Sequence, residues 1–266
     1  MSTNPSFDAR PKGGVGDSFR SWWNAQARVT QWAFGVPFIL LIAVLPLLNI
    51  PLLTTQGTNF GAVMAQFGMY ALIAIGLNVV VGQAGLLDLG YVGFYAVGAY
   101  TVALLTSPAS PWNQTGPGGW LSTDWAWLAC LPIAIMITAI SGLILGSPTL
   151  RLRGDYLAIV TLGFGEIILV GVRNSPALGG ALGLSGTPQR TTFFLVWFMV
   201  FVVVLLARRL LASPHGRSLV AIREDEVAAE AMGVDTTAYK VRAFVVSSFF
   251  AGVAGGLFAH FQSIIT

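Results

Sequence analysis

Charge is scarce in this chain. Only 9% of its 266 residues are Asp, Glu, Lys or Arg, against about 25% in an average soluble domain. That shortage excludes a domain surrounded by water on every side. With 55% hydrophobic residues and a mean hydropathy of +0.74, the chain falls in the integral membrane class. Cysteine is nearly absent: Cys130 stands alone, which excludes an internal disulfide. Within the apolar run 125–145 it reads as a small apolar filler. Only His215 and His260 represent histidine, without a metal-ligand spacing. The only lysines are Lys12 and Lys240, and neither precedes Ser or Thr, so there is no phosphate-cradling P-loop. No GxSxG motif occurs. These absences predict a chain with no catalytic residue, no metal and no cofactor of its own. The net charge of +3 is small, and no basic stripe interleaved with aromatics points to nucleic acid. Basic residues beside apolar runs are explained by membrane topology.

What is present is a series of apolar runs near the length of about 20 residues that a spanning helix needs. Seven segments qualify: 32–48, 60–81, 86–105, 125–145, 156–172, 192–211 and 243–261. The expected fold is an all-α, polytopic transmembrane helix bundle with about seven spans. The fifth segment is short and carries Gly163, Gly165 and Glu166, which predicts an interruption. Residues 1–31 are polar and form an expected cytoplasmic tail, with residues 32–266 as the transmembrane domain. Phe19, Trp22, Trp23 and Trp32, with Arg20 and Arg28, read equally as an interfacial anchor or an ordinary flank. Gly142–Gly146 and Gly252–Gly256 match the small-xxx-small spacing that lets helix backbones approach closely.

Charge placement orients the bundle. Loop 106–124 has no Lys or Arg, loop 148–155 has Arg151 and Arg153, and stretch 207–242 has six basic residues. The positive-inside rule then places the N-terminus, loop 148–155 and stretch 207–242 in the cytoplasm. An odd number of spans places the C-terminus outside.

Two acidic residues lie within apolar segments, Asp88 and Glu166. Charge at membrane depth is costly and marks a water-lined path or a functional contact. Both residues are therefore candidates for a translocation pathway. Asp88 reads alternatively as a helix N-cap, and Glu166 as an interhelical hydrogen-bonding group. Glycines around them predict broken or re-entrant backbone.

Eleven charged residues crowd into Arg208–Arg242. Ser213–Gly216 is rich in helix breakers. A helix is predicted from Arg217 onward, with Gly233 as its left-handed C′ residue. A further helix is expected to begin near Asp235, Thr236 or Thr237 and run into the last span. Val220, Val227 and Ala231 share a face by helical spacing, with Met232 near it. Such a face on a charged helix predicts a docking element in the water phase, although charge patterning also suits a merely solvated loop.

Three stretches resemble a known family: GLNVVVGQAGLLDLGYVGFYAVGAYTVALL (76–105), RLRGDYLAIVTLGFGEII (151–168) and GRSLVAIREDEVAAEAMGVDTTAYKVRAFVVSSFFAGVAGGLFAHF (216–261). They are similar to the LivM-type permease of branched-chain amino acid ABC importers. The resemblance implies that loop 212–240 is an EAA-like coupling loop whose short helix sits on an ATPase chain. Glu226, Ala228, Ala229, Glu230 and Gly233 are the matching positions. Arg217, Arg223, Glu224 and Asp225 complete the expected coupling set, the arginines by pairing with acidic groups on the partner. The implied partners are a second, LivH-like permease, two ABC ATPase chains carrying ATP and Mg, a periplasmic binding protein and the lipid bilayer of the bacterial inner membrane. The implied cargo is Leu, Ile or Val. Two departures stand out. Residues 174–189 match the family's glycine-rich stretch loosely, and family members continue with further spans past the equivalent of Phe261, whereas this chain stops at Thr266. On the residues alone, a secondary transporter or channel using Asp88 and Glu166, or a membrane scaffold, remains open.

Overall fold

A computed structural model describes residues 59–111, 125–149 and 155–265. Helix α1, Phe60–Asn78, runs on through a π-helical turn, Val79–Gln83. Helix α2 covers Tyr91–Thr106 and α3 covers Cys130–Thr149, the latter preceded by a 3₁₀ turn at Ala126–Ala129. Then come α4, Asp155–Asn174, strand β1, Leu184–Ser185, and α5, Phe193–Ala212. Two short helices follow, α6 at Pro214–Glu224 and α7 at Glu226–Ala231. Helix α8, Thr236–Ala259, and strand β2, Ile264–Ile265, complete the described chain.

Among the described residues, five helical stretches are long and apolar enough to cross a membrane: Phe60–Gln83, Ala126–Ser147, Tyr156–Asn174, Phe193–Ala212 and Thr236–Ala259. The architecture is thus the expected all-α polytopic bundle. Helix α2 differs from the spanning segment predicted at 86–105. It has 16 residues, about 24 Å at 1.5 Å per residue, less than the roughly 30 Å hydrocarbon core. The expected first span at 32–48, tail 1–31, Arg151, Arg153 and residues 112–124 lie outside the described residues.

Helix α8 is the centre of the bundle and packs chiefly on α3 and α2. Lipid tails are as apolar as leucine, so these helices gain stability from close packing and from hydrogen bonds between them. The Gly252 end of the small-xxx-small pair serves this directly. A Cβ placed on Gly98 of α2 would meet the Gly252 Cα at 2.9 Å, so the two backbones touch with no side chain between them. Polar ties reinforce the seam. Ser247 Oγ donates to Gly76 O at 2.8 Å, and Tyr91 Oη donates to Ser247 O at 3.0 Å. Cys130 is buried among Ala99, Val102 and Ala134, as a small apolar residue. Phe67, Ile144, Ile167 and Phe198 point away from the bundle, an arrangement that water would penalise and a bilayer accepts.

Three further features differ from the sequence expectation. Helix α4 is continuous through Gly163 and Gly165, because a membrane offers the backbone no competing hydrogen bonds. The helix expected from Arg217 begins earlier, at Pro214: Ser213 Oγ caps it by accepting from Gly216 N at 3.3 Å, and proline suits the first helical position. It is also two helices, not one. Asp225 leaves the helical region at φ −155°, ψ 108°. Its Oδ1 accepts from Val227 N at 2.9 Å and Ala228 N at 3.0 Å, capping α7.

At the end of the bundle remote from α6 and α7, the chain closes through a short ladder. Strands β1 and β2 pair antiparallel, Leu184 with Ile265 and Ser185 with Ile264. Arg190 N and Thr191 N both donate to His260 O, at 2.9 and 3.1 Å.

Candidate functional site

The charged stretch folds into a compact hook at one end of the bundle. Helix α7 is held by its Asp225 cap at one end. At the other, Gly233 takes φ +85°, and Val234 N donates to Ala229 O at 3.1 Å. That is the six-to-one bond of a Schellman stop. Asp235 then caps α8 by accepting from Ala238 N at 3.0 Å. The predicted left-handed Gly233 and the predicted start of α8 are both where the sequence put them.

Within the hook, some of the nine coupling candidates are engaged by the chain's own groups and others are not. Ala229 is buried. Glu226 pairs with Lys240, which is only 5% exposed. Arg223 reaches across to Gly82 O at 2.7 Å and also pairs with Glu224. Asp225 is engaged as a cap. Arg217, Arg223, Glu224, Asp225, Ala228, Glu230 and Gly233 are exposed, and the Arg217 guanidinium donates to Ala212 O at 3.1 Å. Beside them, Val227 is 71% exposed and Met232 84% exposed. The outer surface of the hook therefore carries two exposed apolar side chains, Val227 and Met232, on the same short segment as the exposed Glu230.

The second region is a groove of about 330 Å³ between α2 and α4, lined by Leu89, Gly93, Tyr100, Glu166, Ile168 and Arg173 among others. Glu166 is exposed on it. Arg173 lies seven residues on, two helical turns along the same face. Asp88 does not line the groove. It is 5% exposed, in the non-helical backbone between the π turn and α2, and its Oδ1 accepts from Gly90 N at 2.9 Å. Its neighbours Leu89 and Gly90 do line the groove, and Leu89 N donates to Thr161 Oγ1 of α4 at 3.0 Å. The backbone around Asp88 is broken, as the glycines suggested; around Glu166 it is not. Gly85, one of the glycines on which that expectation rested, takes a left-handed φ of +68° at the break. Sequence reasoning missed Lys240 and Thr161 as members of these clusters.

Residues 59–266 match the family described as "Branched-chain amino acid transport system / permease component". The chain belongs to this family. The branched-chain amino acid permease match contains the hook, the groove and the Asp88 break in full. The chain is 40% identical over 251 residues to the "High-affinity branched-chain amino acid transport system permease protein LivM" of Salmonella typhimurium, covering 81% of this chain and 55% of the relative. The Escherichia coli K12 protein of the same name gives the same figures. A "Probable branched-chain amino acid transport permease protein LivM" of Methanocaldococcus jannaschii is 28% identical over 234 residues, covering 74% of this chain and 66% of the relative. The chain spans about half the length of the two bacterial relatives. No solved structure matches significantly. These relatives are named as transport permease proteins, and the helices of this chain that are long and apolar enough to cross a bilayer make it a multi-pass membrane protein.

Proposed function

We propose that the chain is a permease subunit of an ATP-driven importer that moves Leu, Ile or Val across the bacterial inner membrane. The observation that carries this reading is the hook, on a chain of a permease family. Its helix α7 is capped at both ends, yet Val227 and Met232 stand in the open at 71% and 84% exposure. A helix fixed at such cost to chain entropy, with an apolar tip, suits insertion into a groove on a partner. The proposed partner is an ABC ATPase chain, which supplies the ATP site and Mg that this chain's sequence lacks. Two such chains, a second LivH-like permease and a periplasmic binding protein complete the assembly.

In this reading the hook lies in the cytoplasm, with the N-terminus on that side and the C-terminal residues on the periplasmic side. The Glu166 groove lies on the cargo path at the boundary with the second permease. The Asp88 break shapes that groove through Leu89 and Gly90. ATP-driven closure of the two ATPase chains moves the hook, and the helices respond by exposing the path to alternate sides.

The test is co-purification of the chain with candidate ATPase, permease and binding-protein partners, followed by ATP-dependent uptake of labelled Leu into proteoliposomes. Uptake that needs all partners and ATP supports the reading. Flux without the ATPase overturns it in favour of a secondary transporter or channel built on Glu166 and Asp88. Association without any flux favours a scaffold.

A further inference from the structure

The C-terminal turn of α1 is unusual, and Arg223 is fitted to it. Gly85 takes φ +68°, and Leu86 N donates back to Val80 O at 3.1 Å. In a continuing helix the Leu86 N–H would serve the carbonyl four residues before it, that of Gly82. Here it is diverted, and Gly82 falls among the carbonyls that a helix end leaves without in-helix donors. Arg223 Nη1 donates to Gly82 O at 2.7 Å from 141 residues away. A cation at this position also meets the negative end of the helix dipole. Contact continues along the side chain, since a Cβ on Gly85 would meet Arg223 Cγ at 2.6 Å. Glu224 holds the other guanidinium nitrogen, Nη2.

Beyond Gly85 the chain stays non-helical until Tyr91. That stretch is pinned at its far end to α4, where Leu89 N donates to Thr161 Oγ1 at 3.0 Å. It is also folded on itself by the Asp88–Gly90 bond of 2.9 Å. Leu89 and Gly90 form part of the groove wall that carries Glu166. One short, cross-linked path therefore leads from the end of α6 to the groove.

We infer that Arg223 is a positioning residue that carries movement of the hook into the groove, by capping the C-terminal turn of α1 and not by contacting the ATPase partner. This deepens the proposed coupling role and rests on it. The guanidinium and the Gly82–Gly85 turn move as one body, and the pinned stretch passes that displacement to Leu89, Gly90 and Thr161. The exposed tip at Val227 and Met232 supplies docking; Arg223 supplies transmission.

The experiment measures ATP hydrolysis and labelled Leu uptake in the same proteoliposomes of the complete transporter, together with ATPase retention in a detergent pull-down. In Arg223→Ala the ATPase chain stays bound, while Leu moved per ATP falls about tenfold, the size expected for loss of a charge-assisted hydrogen bond. Arg223→Lys, which keeps a charged donor, recovers a large part of that ratio. Arg223→Gln is read alongside in case the alanine variant fails to insert. Loss of the ATPase chain in the pull-down makes Arg223 a docking residue and overturns the inference. So does an unchanged ratio of Leu to ATP, and so does failure of both Ala and Gln variants to reach the membrane. A wild-type assembly with no ATP-dependent uptake fails the proposed function itself, which separates the two.

Discussion

Lys240, on the first turns of α8, and Glu226, at the start of α7, form an ion pair that closes the hook on itself. The ammonium side is almost fully buried, with 7% of the side chain exposed, and the carboxylate side is 37% exposed. Removing one partner of a buried pair costs about 3–5 kcal/mol. Water screens Glu226, so the expected cost of Glu226→Gln is lower, about 1–2 kcal/mol. Glu226→Lys sets two ammonium groups together and lowers both thermal stability in detergent and ATPase retention. The swap Glu226→Lys with Lys240→Glu restores part of both. Absence of any rescue, with the double variant folded, means that Glu226 contacts the ATPase directly.

The exposed tip gives a prediction of the opposite kind. Met232 is 84% exposed, and its replacement disturbs little of the chain's own packing. Met232→Asp is expected to leave folding stability within about 0.5 kcal/mol of wild type, as for surface changes generally. ATPase association, by contrast, is expected to fall by tenfold or more. Gly233→Val behaves differently, since a β-branched residue at φ +85° is strained. It loses stability and association together. Equal melting and equal retention in Met232→Asp would remove the tip from the interface.

Helix packing around α8 is tested by two alanines. Gly98→Ala places a Cβ 2.9 Å from the Gly252 Cα. The backbone must shift, at about 1–3 kcal/mol for overpacking. Gly163→Ala on α4 meets nothing within 4 Å and relieves the entropic penalty of a mid-helix glycine, about 0.5–1 kcal/mol. Thermal aggregation measured by size exclusion in detergent should therefore shift down for the first and slightly up for the second.

Much of this molecule follows from local chemistry. Apolar run length marked the spanning helices, and Gly233 and Asp235 marked a stop and a start because each acts on backbone within a few residues. The break at Asp225 was hidden, because Glu224, Asp225 and Glu226 stand in a run of residues that also suits a helix interior. Its cap bonds to Val227 and Ala228 decide the matter only once the chain has turned. The intramolecular bonding of Arg223 and Glu226 was not legible at all. Their partners lie 141 and 14 residues away, and nothing in either side chain distinguishes an intramolecular carbonyl or ammonium from one on another protein. The π turn at Val79–Gln83 is equally silent, since a run of valines fits several helical geometries.

Asp88 is not the N-cap of α2, a position that Gly90 holds; it folds the turn before that helix, and its substitutions distinguish turn from pathway. The carboxylate accepts from Gly90 N at 2.9 Å and is 5% exposed. Asp88→Asn retains an acceptor for Gly90 and is expected to keep Leu uptake within about threefold of wild type. Asp88→Ala leaves the buried Gly90 N–H without that acceptor, at about 1–3 kcal/mol, and loosens the groove wall at Leu89 and Gly90, so uptake and melting temperature fall together. Loss of uptake in Asp88→Asn at unchanged stability would instead assign the charge itself to the pathway.

His260 makes stability depend on pH at the other end of the bundle. It lies just past the end of the α8 span and stacks on Trp127 with ring centroids 4.4 Å apart. Its Nδ1 is 2.7 Å from Pro188 O, which places the proton on Nδ1 of a neutral ring. Burial drives the imidazolium down to about 4; the Pro188 contact opposes this shift, and Arg190 adds to it. In the unfolded chain the group titrates near 6.5. Below that pH the unfolded state takes up a proton that the folded state refuses, so stability falls from about pH 6.5 downward and levels off near pH 4. The full difference corresponds to about 3 kcal/mol. His260→Gln keeps a donor for Pro188 and cannot titrate. Melting temperature between pH 7.5 and 4.5 should therefore fall more steeply for the wild type than for this variant, and parallel curves would show that the folded state accepts the proton.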